Sequence, residues 1–125
     1  QFDGWIKDIN AWLEDKQYVV CSSVLEGHPV GIMEAMARGL KPLIHNFVGA
    51  KGIYPNKYLW NTITDFVSIA TEENYDSVEY RNFIESNYSL HMQLNIIDKI
   101  LCTCTESITN SKLLDSNVEE LSTYS

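Results

Sequence analysis

The sequence has few cysteines and no long apolar run. Its three cysteines, Cys21, Cys102 and Cys104, cannot all pair within one chain, so a disulfide framework is excluded as the basis of the fold. Free thiols are typical of a reducing compartment, and we expect a cytoplasmic location. The longest stretches without a charge, such as residues 17–25, are shorter than the ~18 apolar residues that cross a bilayer. The sequence therefore predicts no transmembrane segment.

Basic residues are also scarce. There are 9 lysines and arginines against 17 aspartates and glutamates, which gives a formal net charge of −8. This balance gives no electrostatic reason to expect a nucleic-acid partner or an anionic membrane. The first residues, Gln1 to Asp3, contain neither a basic nor an apolar region, so they do not resemble a secretory signal.

What is present is an ordinary globular composition. The 125 residues are 45% hydrophobic and 21% charged, which suits about one domain with a buried core. The chain has no initiator methionine, and its first residues resemble the end of a strand. We therefore expect it to be a fragment of a longer protein.

Helical and strand patterns alternate along the first hundred residues. Apolar residues spaced three and four apart predict helices, and short β-branched runs predict strands. The predicted helices are residues 5–15, 29–38, 75–85 and a last one that begins after an N-cap at Ser89, and the predicted strands are residues 18–23, 41–45 and 66–70. The run 18–23 is apolar on both alternate faces, which is typical of a central strand. The pattern predicts an α/β fold, a Rossmann-like parallel sheet with helices on both faces.

The periodicity fades after residue 104. Residues 105–125 are rich in serine, threonine and asparagine. We expect a polar, mobile tail there, with a short helix at residues 112–121 as an alternative. The domain itself is predicted to span residues 1–104.

One segment carries residues suited to chemistry. Residues 22–39 join the carboxyl end of the first predicted strand to the next helix, which is where ligands bind in open α/β sheets. A helix N-terminus offers unpaired N–H groups to a phosphate, and Gly27 and Gly31 would let it approach the backbone. Glu26 and Glu34 flank this turn. Glu34 lies among apolar helix residues, where a buried carboxylate would need partners such as sugar hydroxyls.

This segment resembles the retaining glycosyltransferases of the GT-B fold, specifically family 4. The resemblance rests on Glu26-Gly27-His28-Pro29, the run Glu34-Ala35-Met36-Ala37-Arg38-Gly39 and the strand start Lys41-Pro42-Leu43-Ile44. It extends more weakly over residues 1 to 100, which correspond to the later half of the family's C-terminal nucleotide-sugar-binding domain. It implies that the chain is part of an enzyme that transfers a hexose from a nucleotide-diphosphate sugar with retention of configuration.

The resemblance also implies roles for single residues. Glu26, the catalytic position, would bind hydroxyls of the transferred hexose, and Glu34 would bind the ribose hydroxyls. Backbone amides of the intervening turn would meet the hexose and the pyrophosphate. The implied substrate-binding set is Glu26, Gly27, His28, Val30, Gly31 and Glu34. Pro29 has no N–H and cannot be one of these donors.

The resemblance implies no metal and no cofactor besides the donor sugar nucleotide. The sequence has no Asp-x-Asp pair of the kind that holds a magnesium or manganese ion. The family's basic diphosphate-binding residues and its N-terminal acceptor domain would lie upstream of Gln1, so we expect this chain to be inactive alone. The full-length protein would be cytoplasmic, with the inner face of the membrane as one such location. A truncated sheet with an unpaired edge also predicts self-association.

Other interpretations remain open at this stage. The chain could be a non-catalytic α/β binding or protein-interaction module that keeps the motif as a remnant of packing. His28 is more simply a loop histidine than a base or a metal ligand. Cys102 and Cys104 lack the further ligands of a zinc site. His45, at the end of a predicted strand, either faces the ligand cleft or does not.

Overall fold

A computed structural model describes residues 3–122, with side chains described up to residue 108. It is an α/β structure with an open, parallel, three-stranded sheet and several helices. A short 3₁₀ turn at Asn56–Tyr58 precedes the last strand. In chain order the elements are α1 (Ile9–Leu13), β1 (Tyr18–Cys21), α2 (Val30–Ala37), β2 (Lys41–His45), α3 (Ala50–Ile53), β3 (Leu59–Trp60), α4 (Ile63–Thr71), α5 (Ser77–Tyr88) and α6 (Leu90–Ser122).

The strand order is β1-β2-β3, so consecutive strands are neighbours. Strand β2 lies in the middle, and its first four residues are buried. Tyr18 pairs with Lys41, and Ile44 pairs with Leu59. The prediction that the first strand is central is wrong for the sheet that the structure describes. Strand β1 lies at its edge, and Val20 is half exposed.

Helical segments contact both faces of β1. Val19 packs against Leu13 and Ala35, which belong to α1 and α2. The next residue toward the N-terminus, Tyr18, points to the other face, where its hydroxyl donates to the carbonyl oxygen of Ala70 in α4 over 3.4 Å. Lys41 pairs with Tyr18 and lies in β2. Its ammonium group donates to the carbonyl oxygen of Glu72, the residue that follows α4.

The predicted strand at residues 66–70 is wrong, because these residues belong to helix α4. The local reason is a capping box at Thr62 and Asp65. The Asp65 amide donates to the Thr62 hydroxyl over 3.2 Å, and the Asp65 carboxylate accepts from the Thr62 amide over 2.9 Å. This reciprocal pair satisfies the first free N–H groups of a helix and fixes its start. The third strand is instead Leu59–Trp60.

Helix α1 is shorter than predicted. It begins at Ile9 and not at residue 5, because the Asp8 carboxylate accepts from the Ala11 amide and caps the helix there. Trp5, which the apolar spacing placed in the helix, is 93% exposed. The predictions for α2, β2 and α5 agree with the structure to within three residues at each end.

The end of α2 is held by the start of α5. Gly39 has a φ of +88°, a left-handed conformation that favours glycine. The Tyr75 hydroxyl donates to the Gly39 carbonyl over 2.8 Å, and the Arg81 Nε donates to the Ala37 carbonyl over 3.1 Å. Carbonyl groups at the helix end are thereby satisfied.

The chain divides into two compact units, residues 1–87 and 88–125. The second unit contains α6, and the Ser89 hydroxyl accepts from the Met92 amide as the predicted N-cap should. Helix α6 continues through the predicted polar tail to Ser122, while residues 123–125 lie outside the described part. Mobility of the tail and a domain boundary after residue 104 stay predictions. No helix within residues 3–122 has the length and apolar character needed to cross a bilayer.

Candidate functional site

The predicted site residues lie on one strand–loop–helix connection. Strand β1 ends at Cys21 and α2 begins at Val30, so the intervening loop leaves the carboxyl edge of the parallel sheet, as the sequence predicted. Glu26 in this loop is partly buried, whereas Gly27 and His28 are exposed.

Glu34 is exposed on α2 and is not buried among the apolar residues that flank it in the sequence. Those neighbours point elsewhere: Ile32, Ala35 and Met36 are the buried residues of this helix. Val30 and Gly31 precede Glu34 by four and three positions, so both lie near it on the opposite, exposed side of the helix. A ligand at the start of α2 could thus contact Glu34 along that face.

The N-terminus of α2 has no side-chain cap. Its N-cap is Pro29, which has no hydrogen-bonding side chain, and the Pro29 carbonyl accepts from the amides of Ile32 and Met33. The amides of Val30 and Gly31 precede the first intrahelical donor, and they have no acceptor among the described residues. Two N–H groups and the positive end of the helix dipole are therefore available to an anion.

The fold does not require glycine at positions 27 and 31. Neither residue has a positive φ, and a Cβ atom added at either would meet no other atom within 4 Å. Gly39 differs, because a Cβ there would lie 2.8 Å from the Cβ of Ser77. Gly39, which ends the motif, is thus required by the fold. Gly27 in the loop and Gly31 in the first turn of α2 leave open space beside the backbone.

The Glu34 carboxylate makes no hydrogen bond or ion pair with the described residues, although an arginine lies four positions later. A glutamate followed by an arginine at this spacing usually gains a helix-surface ion pair. Arg38 instead faces α1, where its Nη2 donates to the Asn10 carbonyl over 2.9 Å and lies 3.6 Å from the Glu14 carboxylate. The Glu34 carboxylate is therefore left as a free hydrogen-bond acceptor.

The structure places His45, whose position the sequence left open, beside the candidate loop, and it adds Asn46 and Asn61, which the sequence reasoning missed. The His45 Nδ1 lies 3.0 Å from the Ser23 carbonyl, and the His45 ring packs edge-on against Trp60 at 4.8 Å between centroids. Because a carbonyl only accepts, Nδ1 is the donor in this contact. His45 thus contacts the chain that leads from β1 into the candidate loop.

Beside it, the Asn46 side-chain amide donates to the Asn61 side-chain oxygen over 2.9 Å. These residues follow β2 and β3, so they lie on the same edge of the sheet as the loop. The sequence reasoning missed this contact because it placed the third strand at residues 66–70. The sequence did contain a signal for it, since a polar residue directly follows each strand.

A separate cavity of about 470 Å³ lies near the amino-terminal edge of the sheet. Its lining includes Lys41, the first residue of β2, and Tyr58, which precedes β3. On its wall the Tyr58 hydroxyl donates to the Glu79 carboxylate over 2.5 Å, and Lys57 forms an ion pair with the same carboxylate. The hydrogen bonds from Lys57 and Tyr58 lower the pKa of Glu79, while burial and then Glu79 raise the pKa of Tyr58. None of the predicted site residues lines this cavity.

Cys102 and Cys104 are exposed, and Cys21 is buried. Among the residues the structure describes, no three His, Cys, Asp or Glu side chains converge in a way that could hold a metal ion. Comparison with protein-family models, with characterised proteins and with solved structures found no match for this chain.

Proposed function

We propose that this chain is part of a family 4 retaining glycosyltransferase with the GT-B fold, and that the loop from Glu26 to α2 is a half-site for a nucleotide-diphosphate sugar. The observation that carries the proposal is the uncapped start of α2 inside the glutamate-to-glutamate motif. Two free amides, two glycines that the fold does not need and an unpaired glutamate lie on this loop and on the exposed side of α2.

The chemistry assigned to each group follows from what it can donate or accept. The Val30 and Gly31 amides donate to the pyrophosphate, whose negative charge also gains from the helix dipole. Glu34 accepts from the ribose hydroxyls, and Glu26 accepts from hydroxyls of the hexose. During transfer, negative charge grows on the leaving diphosphate, and fixed amide dipoles stabilise it without reorganising.

An amide NMR titration of the chain with UDP, GDP and their hexose conjugates tests this proposal. We expect saturable shifts between residues 26 and 35, and we expect Glu34→Gln to weaken binding about tenfold, because it removes one charged acceptor worth ~1.5 kcal/mol. The matched control is Glu85→Gln, an exposed glutamate of α5, which should change nothing. Shifts elsewhere, or equal effects of the two substitutions, would contradict the proposal.

A second function is favoured by a different observation at the same loop. Val24 and Leu25 are 73% and 77% exposed, which is unusual for two neighbouring apolar side chains. Clustered exposed apolar residues mark protein-binding surfaces, as in a non-catalytic interaction module. Leu25→Asp separates the two functions. It should leave the shifts caused by nucleotides in place, and it should abolish the binding of a protein partner.

A further inference from the structure

Helix α6 has an apolar stripe that the proposed function does not use. Every side chain from residue 90 to residue 108 is exposed. The stripe consists of Leu90, Leu94, Ile97, Leu101, Cys104 and Ile108, spaced alternately four and three apart. We call these six residues the seam. Such alternation is the seven-residue repeat of a coiled coil, in which a second helix covers the seam.

The helix also needs outside support. It is 33 residues long, about 50 Å at the usual rise per residue. Helices gain most of their stability by packing an apolar face. In α6 the hydroxyls of Thr103, Thr105 and Ser107 donate to carbonyls one turn earlier, which slightly weakens a helix. A long helix with an exposed seam and these residues would gain stability if its seam were covered.

We propose that two copies of this chain associate through α6 as a parallel, in-register coiled coil. The seam contains no charge, and the whole span 90–108 has only Asp98, Lys99 and Glu106 as charged residues, apart from His91. Two copies can therefore approach here although each carries a net charge of −8. No other partner sequence is needed, because the seam is self-complementary.

The flanking residues select the parallel orientation. In a parallel pair, Gln93 of one helix lies across from Asp98 of the second copy, an amide donor facing a carboxylate acceptor. In an antiparallel pair over the same span, the two copies of Asp98 would lie near each other at its centre. Like charges at that position disfavour the antiparallel form. The repeat ends after Ile108, since the next positions in register are Ser111 and Asp115, so the pair is short and its formation depends on concentration.

Sedimentation velocity on the full chain tests the association. We expect a monomer–dimer equilibrium that shifts with concentration. The pair Leu94→Gln with Leu101→Gln should raise the midpoint concentration at least tenfold. The matched control, Cys102→Gln with Thr103→Gln, changes the outer face of the same turn and should move the midpoint less than twofold.

A conservative variant and the tryptophan signal distinguish loss of the seam from damage to the first unit. Leu94→Ile with Leu101→Ile keeps the seam apolar and should retain association. Tryptophan fluorescence reports only on the first unit, because all three tryptophans, Trp5, Trp12 and Trp60, lie there. That signal should be identical in every variant.

Cysteine cross-linking tests the orientation. In a parallel pair the two Cys104 side chains meet in the seam, whereas Cys102 points away from it. With diamide as the oxidant, Cys102→Ser should form a covalent dimer readily and Cys104→Ser should form at least tenfold less. The proposal is overturned if the chain stays monomeric at all concentrations or if Cys102 cross-links as fast as Cys104. It is also overturned if the seam variant still associates while Val20→Lys, at the edge of β1, does not.

Discussion

A Cβ atom placed on Gly39 would lie 2.8 Å from the Cβ of Ser77, closer than side-chain carbons approach each other. The two residues belong to the end of α2 and the start of α5, which are far apart in sequence. Gly39 also adopts a left-handed backbone conformation, with φ at +88°. Two independent requirements therefore act on the glycine that ends the Glu34-to-Gly39 motif.

Gly39→Ala should destabilise the first unit. The left-handed conformation costs an alanine about 1–2 kcal/mol, and crowding against Ser77 adds about 1–3 kcal/mol. We expect a loss of about 2–5 kcal/mol in the free energy of unfolding, measured by urea denaturation. Pairing the change with Ser77→Gly relieves the contact but not the backbone conformation, so this double variant should recover part of the loss. Full recovery would mean that the backbone requirement is absent.

Gly31→Ala should have the opposite signature. Its added Cβ meets nothing within 4 Å, and alanine favours a helix over glycine by up to ~1 kcal/mol. The free energy of unfolding should therefore stay constant or rise slightly. Binding of a nucleotide sugar should fall, because the methyl group occupies the open space beside the amides. A variant that keeps both stability and binding would show that no ligand approaches this position.

The stability of the first unit should depend on Glu79 in acid. Hydrogen bonds from Lys57 and then Tyr58 hold the pKa of Glu79 below its ordinary 4.5. A carboxylate with a lowered pKa in the folded state contributes stability that is present above the unfolded pKa, and it is lost as the pH falls through the folded pKa. The urea midpoint should therefore drop between about pH 5 and pH 3, and less so in Glu79→Gln. Equal slopes for both proteins would contradict this.

Tyr58, the hydrogen-bond partner of Glu79, should make the stability of the first unit depend on pH under alkaline conditions. Burial and then the neighbouring Glu79 raise the pKa of the Tyr58 phenol above its usual value of 10.0. A raised pKa contributes stability that is complete below the unfolded pKa and is lost as the pH rises toward the folded one. Above about pH 10 the native protein should lose stability, and Tyr58→Phe should lose less over the same range. The difference in absorbance at 295 nm between the two proteins would show ionisation of the Tyr58 phenol coincident with unfolding.

The local patterns predicted much of the fold. Residues 41–45 form a strand, as their short apolar run predicted. Residues 29–38 contain α2, because a proline at the start and a glycine after the end mark the limits of a helix in the sequence. The exposure of β1 could not be predicted, since a run that is apolar on both faces does not show which neighbours the sheet supplies. The loop was located correctly by its position after a strand. The exposure of Glu34 was not, because it depends on which face of α2 packs on the sheet.

Residues 66–70 show why short apolar runs mislead. Phe66, Val67 and Ile69 fit a buried strand and a helix equally well, so residues outside the run decide between them. Here Thr62 and Asp65 form the capping box that starts α4. Because the box begins four residues before the apolar run and ends just before it, an interpretation based on the run alone cannot find it.

Thr62→Ala should therefore weaken α4 specifically. It removes the acceptor of the Asp65 amide, and loss of such a cap costs about 1 kcal/mol. Thr62→Ser keeps the hydroxyl and should behave like the unchanged chain in urea denaturation. Hydrogen exchange adds the location: amides of residues 66–71 should exchange faster in Thr62→Ala, while those of α2 should not change. Uniform acceleration across both helices would mean that the cap acts on the whole unit and not on the choice of helix at this run.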